Sequence, residues 1–173
     1  MGREVRRVPE NWEHPKEQMD GFDGPFLAYK ALFPGERYQP AVDEWDAGRV
    51  VWEEGPRPDF TLEPEYAEMS YEEWAGQRPS IDNYMPNWPD EERTHLMMYE
   101  NTSEGTPISP AFKTPEELAR WLADNNASAF GNSTATYEGW LRVACGGWAP
   151  SMIIVGGVVA SGVDGLTNDG TKE

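Results

Sequence analysis

The chain has 173 residues, of which 38% are hydrophobic and 12% aromatic, with 8 Trp. That aromatic content argues against wholesale disorder, while 15 Pro and 17 Gly argue for many turns and against a helical bundle or coiled coil. A formal net charge of −17, one Cys and two His exclude nonspecific binding to nucleic acid or anionic lipid, an internal disulfide framework and a zinc-finger ligand set.

Residues 1–16 are locally basic, with Arg3, Arg6, Arg7 and Lys16 against Glu4, Glu10 and Glu13. No apolar run follows these arginines, so a secretory signal is not expected. Over residues 1–65 periodicity is weak, and Pro9, Pro15, Pro25, Pro34, Pro40, Pro56, Pro58 and Pro64 interrupt every long element. Phe26–Phe33 suits two helical turns, Arg49–Trp52 a short strand, and Asp20-Gly21 and Asp23-Gly24 read as turns. This half is expected to be an irregular, acidic, proline-rich arm or wrap pinned by its rings.

Signals sharpen from Ser70, where Ser70-Tyr71-Glu72-Glu73 fits a capping box for a helix of at most about two turns. Thr94–Glu100 and Pro107–Phe112 suit two strands joined by a hairpin loop at 101–105, the second at a sheet edge because prolines cannot donate to a ladder. Thr114 as N-cap, Pro115 at the first helical position and Glu117 at the third predict a helix over 115–124. Its apolar face is Leu118, Trp121 and Leu122. Thr136 caps a second helix over 136–145, stopped by Gly146-Gly147. Met152–Val155 and Val158–Ser161 flank Gly156-Gly157 as a hairpin expected to pair with the 94–112 strands, and 166–173 reads as a frayed tail.

The fold expected from these signals is α+β: a small antiparallel sheet packed against two C-terminal helices, with an irregular proline-rich N-terminal half. It makes one domain over 1–165, with an arm at 1–69 and a compact core at 70–165.

Chemistry-bearing motifs are few. The sequence has no dinucleotide or phosphate-binding glycine loop, no nucleophile elbow and no His-Glu-x-x-His. Cys145 and His95 form a nominal thiol–imidazole pair, but Cys145 beside Ala144 reads as a small core residue. No catalytic residue, cofactor or metal is expected. Trp121 and Trp140 belong to helix faces and the core.

The acidic charge is concentrated instead. Residues 36–104 hold 18 Asp/Glu against 5 Arg, a local net of −13. Within this block Trp45, Trp52, Glu53, Glu54, Glu72, Glu73, Trp74, Trp88, Asp90, Glu91 and Glu92 combine carboxylates with large rings. Such a surface suits capture of a basic protein and, in its sharpest form, imitation of a nucleic-acid phosphate array.

Three stretches carry a resemblance: Met1–Pro15 (MGREVRRVPENWEHP), Glu104–Asn125 (EGTPISPAFKTPEELARWLADN) and Gly147–Ser151 (GWAPS). They resemble a group of small proteins encoded by tailed phages and prophages, which brings no catalytic residues to carry over. The resemblance implies a phage origin and expression in a bacterial host cytoplasm. By analogy it implies an accessory protein that binds a basic host or phage protein, such as a defence nuclease, with no direct contact to nucleic acid or membrane. The alternatives are a virion or assembly component, and a small hydrolytic enzyme using carboxylates or Cys145.

Overall fold

A computed structural model describes residues 2–64, 66–101, 105–155 and 158–165. In chain order the elements are β1 (Gly2–Val8), β2 (Lys16–Gly21), β3 (Gly24–Tyr29), α1 (Tyr38–Glu54), α2 (Tyr71–Ala75), β4 (His95–Glu100), β5 (Thr106–Pro107), α3 (Pro115–Asp124), α4 (Tyr137–Gly146), β6 (Trp148–Pro150), β7 (Met152–Val155) and β8 (Val158–Ser161). Short 3₁₀ turns lie at Gly35–Arg37, Asp59–Leu62 and Ile81–Asn83. The chain forms two compact units, Met1–Leu32 with Trp88–Glu173, and Phe33–Asn87.

The larger unit is organised by a four-stranded antiparallel sheet in the order β5-β4-β1-β6. All four consecutive residues Leu96–Tyr99 of β4 are buried, because both faces of the sheet are covered. Leu96 and Met98 point to α3 and α4, joining Leu118, Leu122, Trp140, Val143 and Ala149 in one core. Burying Leu118 and Leu122 completely contributes about 1.5–3 kcal/mol each. Met97 and Tyr99 point to the opposite face, which they share with Glu4, Arg6 and Val8 by the register Glu4↔Tyr99 and Arg6↔Met97.

Helix starts follow the sequence signals. Thr114 accepts from the Glu117 amide at 3.2 Å while the Glu117 carboxylate accepts from the Thr114 amide at 3.2 Å, closing the box that opens α3. Thr136 accepts from the Gly139 amide, and Asp164 Oδ1 takes both the amide and the hydroxyl of Thr136, tying a residue after β8 to the start of α4.

The edge of the sheet is irregular for a definite reason. Between the pairs Tyr99↔Pro107 and Leu96↔Phe112 the edge chain takes five residue steps against three on β4. The Ile108 amide still donates to the Met98 carbonyl at 2.8 Å, so the slack falls at 109–111, and the Ser109 hydroxyl accepts from the Met98 amide at 2.9 Å in place of a backbone carbonyl.

The expected architecture fails in three respects. First, the N-terminal half is not irregular: it supplies the inner strand β1, the hairpin β2–β3 and the longest helix, α1. The two C-terminal helices are therefore not the main helical elements. Second, in the run at Phe26–Phe33 the first four residues are strand and none is helical, and Arg49–Trp52 lies inside α1. Pro40 sits in the first turn of α1, where its missing N–H removes no intrahelical bond. Third, β7 and β8 pair with each other in a sheet of their own, and the two places beside β4 are taken by β1 and β5. The Gly156-Gly157 turn lies outside the described residues. Cys145, expected in the core, is exposed on α4.

Among the described residues no helix is long and apolar enough to cross a membrane.

Candidate functional site

The residues singled out in the sequence divide between the two units. Trp45, Trp52, Glu53, Glu54, Glu72, Glu73 and Trp74 belong to Phe33–Asn87, whereas Trp88, Asp90, Glu91 and Glu92 belong to the larger unit.

In the smaller unit, Trp45 and Trp52 are seven residues apart on α1 and so share a face over two turns. Tyr71 of α2 packs edge-on to Trp45 at 5.0 Å between centroids and tilts against Trp52 at 6.0 Å. Trp74 stacks on Trp52 at 5.9 Å and 18°. Gly48 permits this approach: a Cβ there would lie 2.0 Å from the Tyr71 hydroxyl. The Trp45 indole donates to the Gly76 carbonyl at 3.0 Å. Arg57 lies over the Trp52 ring at 5.1 Å and donates to the carbonyls of Trp52 and Ala67.

These contacts sort the rings. Trp52, 5% exposed, is the centre of this small core and not a surface anchor, while Trp74 is 50% exposed at its margin. The carboxylates sort as well. The Glu73 carboxylate is held below its usual range because the amide and hydroxyl of Ser70 both donate to it, each at 2.7 Å. Glu53 pairs with Arg49 at 3.2 Å one turn away. Arg78 pairs with Asp46 through two bonds of 2.9 and 2.8 Å, which lowers the Asp46 pKa and raises that of Arg78. Glu54 and Glu72 are exposed. Across Phe33–Asn87 the sequence holds 13 Asp/Glu against 4 Arg, a net of −9. Arg49, Arg57 and Arg78 are engaged by groups of the unit itself, so the outward field is negative.

In the larger unit, Trp88 meets Trp12 edge-to-face at 4.7 Å, and Asp90, Glu91 and Glu92 form an exposed turn in which Asp90 pairs with Arg93. Trp12 belongs to a polar chain that sequence reasoning missed. Its indole donates to the Tyr99 hydroxyl at 3.2 Å, and that hydroxyl lies 3.2 Å from His14 Nδ1 and 3.3 Å from Met97 Sδ. His14 Nε2 sits 2.6 Å from the Lys30 carbonyl, which can only accept. Nε2 therefore carries the hydrogen, and Nδ1 of the neutral ring accepts from Tyr99.

Burial lowers the His14 pKa from its usual 6.5, against the Lys30 carbonyl, which raises it, and with help from the Arg6 charge. Burial likewise pushes the Tyr99 phenol up to about 12. Arg6 lies over the Tyr99 ring at 4.4 Å and donates to the Leu32 carbonyl at 2.6 Å. Trp12, His14, Tyr29, Met97, Ile108 and Trp121 line a cleft of about 1020 Å³, rimmed by Glu10, Glu13 and Lys16. Both ring nitrogens of His14 are committed, so the imidazole serves as wall rather than proton carrier. The adjacent Trp12-Glu13-His14 was the available signal for this cluster.

Among the described residues no group of three His, Cys, Asp or Glu side chains is placed to hold a metal ion. Comparison with protein-family models, with curated proteins and with solved structures gives no match.

Proposed function

We propose that this chain is a non-catalytic accessory protein, of the phage-encoded kind that three of its stretches resemble, which captures a basic host or phage protein in the bacterial cytoplasm. The surface assigned to that task is the acidic face of Phe33–Asn87 around Glu53, Glu54, Glu72 and the exposed margin of Trp74. One observation carries the reading: seven of the thirteen carboxylates, Asp43, Glu44, Asp46, Glu53, Glu54, Glu72 and Glu73, are mounted on two helices cross-braced by a Trp–Tyr–Trp cluster, so this part of the charge is held in a fixed array. A fixed array steers a basic partner and orients it, which a diffuse acidic coil does less well. In its sharpest form the array stands in for nucleic-acid phosphates and blocks a basic nucleic-acid-binding protein.

The test compares the chain with a Glu53→Gln, Glu54→Gln, Glu72→Gln triple variant as bait in bacterial lysate at low ionic strength. Glu73 is left in place because it closes the α2 capping box. The proposal expects one or a few basic proteins on the parent chain and their loss from the variant. An identical captured set on both baits, or acidic and neutral proteins only, contradicts it.

A further inference from the structure

The hairpin β2–β3 is a projecting feature of the larger unit. Six register pairs, from Lys16↔Tyr29 to Gly21↔Gly24, leave a two-residue tip of Phe22 and Asp23. Gly24 at φ +113° provides the left-handed step that closes so tight a turn. The base is clamped: the Lys30 amide donates to the Pro15 carbonyl at 2.9 Å, and His14 meets Tyr29 edge-on at 5.8 Å.

Above that base nearly every residue of both strands is exposed. Phe22 is fully exposed at the tip, Leu27 is 72% exposed, and Met19 and Phe26 are about half exposed. By the register Leu27 lies opposite Gln18 on one face, while Phe26 lies opposite Met19 on the other. An arm with apolar groups at its tip and on both faces is suited to entering a recess rather than lying on a flat surface.

Charge selects the occupant. Glu17, Asp20 and Asp23 flank the apolar groups, and the two nearby cations, Lys16, 4.8 Å over the Tyr29 ring, and Lys30, both lie at the base. A second copy of the hairpin would set these carboxylates against their own kind on a chain of net charge −17, and an anionic bilayer would repel them similarly. We propose that the β2–β3 hairpin is a docking arm whose Phe22 enters an apolar socket with a basic rim on a protein partner. From the preceding section this takes only the basic character of the partner; the surface is a different one.

The experiment is selection of a random linear peptide library on the full-length chain, with affinities then measured on variants. The proposal predicts enriched peptides that combine large apolar residues with several Lys or Arg. Phe22→Ser should weaken them roughly thirty-fold, the scale of an aromatic hot spot, and Phe22→Leu should recover much of that loss. Asp20→Asn with Asp23→Asn should weaken binding at low salt and flatten its salt dependence. Because Phe22 is solvent-exposed, these variants fold, which circular dichroism checks.

The proposal is overturned if no peptide is enriched, if the enriched peptides lack cationic residues, or if Phe22→Ser binds them unchanged. It is also overturned if sedimentation shows self-association that Phe22→Ser abolishes, or if the chain floats with neutral phosphatidylcholine vesicles through Phe22. Peptides lost on the Glu53, Glu54, Glu72 triple variant but kept by Phe22→Ser would assign them to the helical face and leave the arm without a ligand. Failure of lysate capture on the helical face, with peptides still held through Phe22, would remove the preceding reading alone.

Discussion

The Tyr99 hydroxyl stands 3.2 Å from both the Trp12 indole nitrogen and His14 Nδ1, so a single buried phenol satisfies one donor and one acceptor. Replacing Tyr99 with Phe keeps the ring under Arg6 but removes both bonds. The cost is about 1–3 kcal/mol, the penalty for leaving buried polar groups unsatisfied. Urea denaturation of Tyr99→Phe against the parent chain measures it, and an unchanged midpoint would show that the chain of bonds is not structural.

His14 makes stability depend on pH with a definite sign. Its folded pKa lies below the usual 6.5, so between the two values the unfolded state binds more protons than the folded one. Stability from this group is complete above 6.5, declines as pH falls below it, and levels off once the folded His14 is itself protonated. His14→Gln should flatten the stability profile in that window. A two-dimensional NMR titration of the imidazole should place its midpoint below 6.5; a midpoint above 6.5 would reverse the sign.

Ser109 repairs the bulge at the sheet edge. Ser109→Ala leaves the Met98 amide without its acceptor in a buried strand, at a cost of about 1–3 kcal/mol. Amide exchange should show Met98 losing protection ahead of its neighbours on β4. Equal protection in the two proteins would show that another acceptor replaces the hydroxyl.

Gly48 sets the separation of α1 and α2. Alanine is the better helix former by about 1 kcal/mol, but here its methyl would overlap the Tyr71 hydroxyl, and overpacking of this kind costs about 1–3 kcal/mol. Gly48→Ala is therefore expected to destabilise the smaller unit, with partial recovery when combined with Tyr71→Phe. Trp fluorescence during denaturation provides the readout, and a stabilised single variant would contradict the contact.

Local chemistry was legible where a side chain acts on its own backbone. The boxes at Ser70 and Thr114, the cap at Thr136 and the strand expected over Thr94–Glu100, found over His95–Glu100, are readable from residue type and spacing, whereas Asp20-Gly21, expected as a turn, ends β2 and the turn falls at Phe22-Asp23. What stayed hidden depends on distant partners. β1 was missed because two of its buried positions are Arg3 and Arg6, which no hydrophobic pattern marks as interior. They are tolerated there only because Ser128, Glu100, Leu32, Glu4 and the Tyr99 ring satisfy them. α1 was missed because prolines at its margins suggested irregularity, although Val42, Trp45 and Trp52 already recur at helical spacing. Among the candidate binding residues, the sequence placed Trp52 and Trp74 in one class, and only packing separates a core ring from an exposed one.

The most direct measurement of the central claim is the affinity of the chain for its captured partner as a function of salt. Fixed carboxylates on α1 and α2 predict an affinity that falls steeply up to about 0.5 M salt, where the Debye length is only a few Å. They also predict a shallower slope for the Glu53, Glu54, Glu72 triple variant. An affinity that stays constant over this range, or a slope that the triple variant leaves unaltered, would contradict recognition through the acidic face.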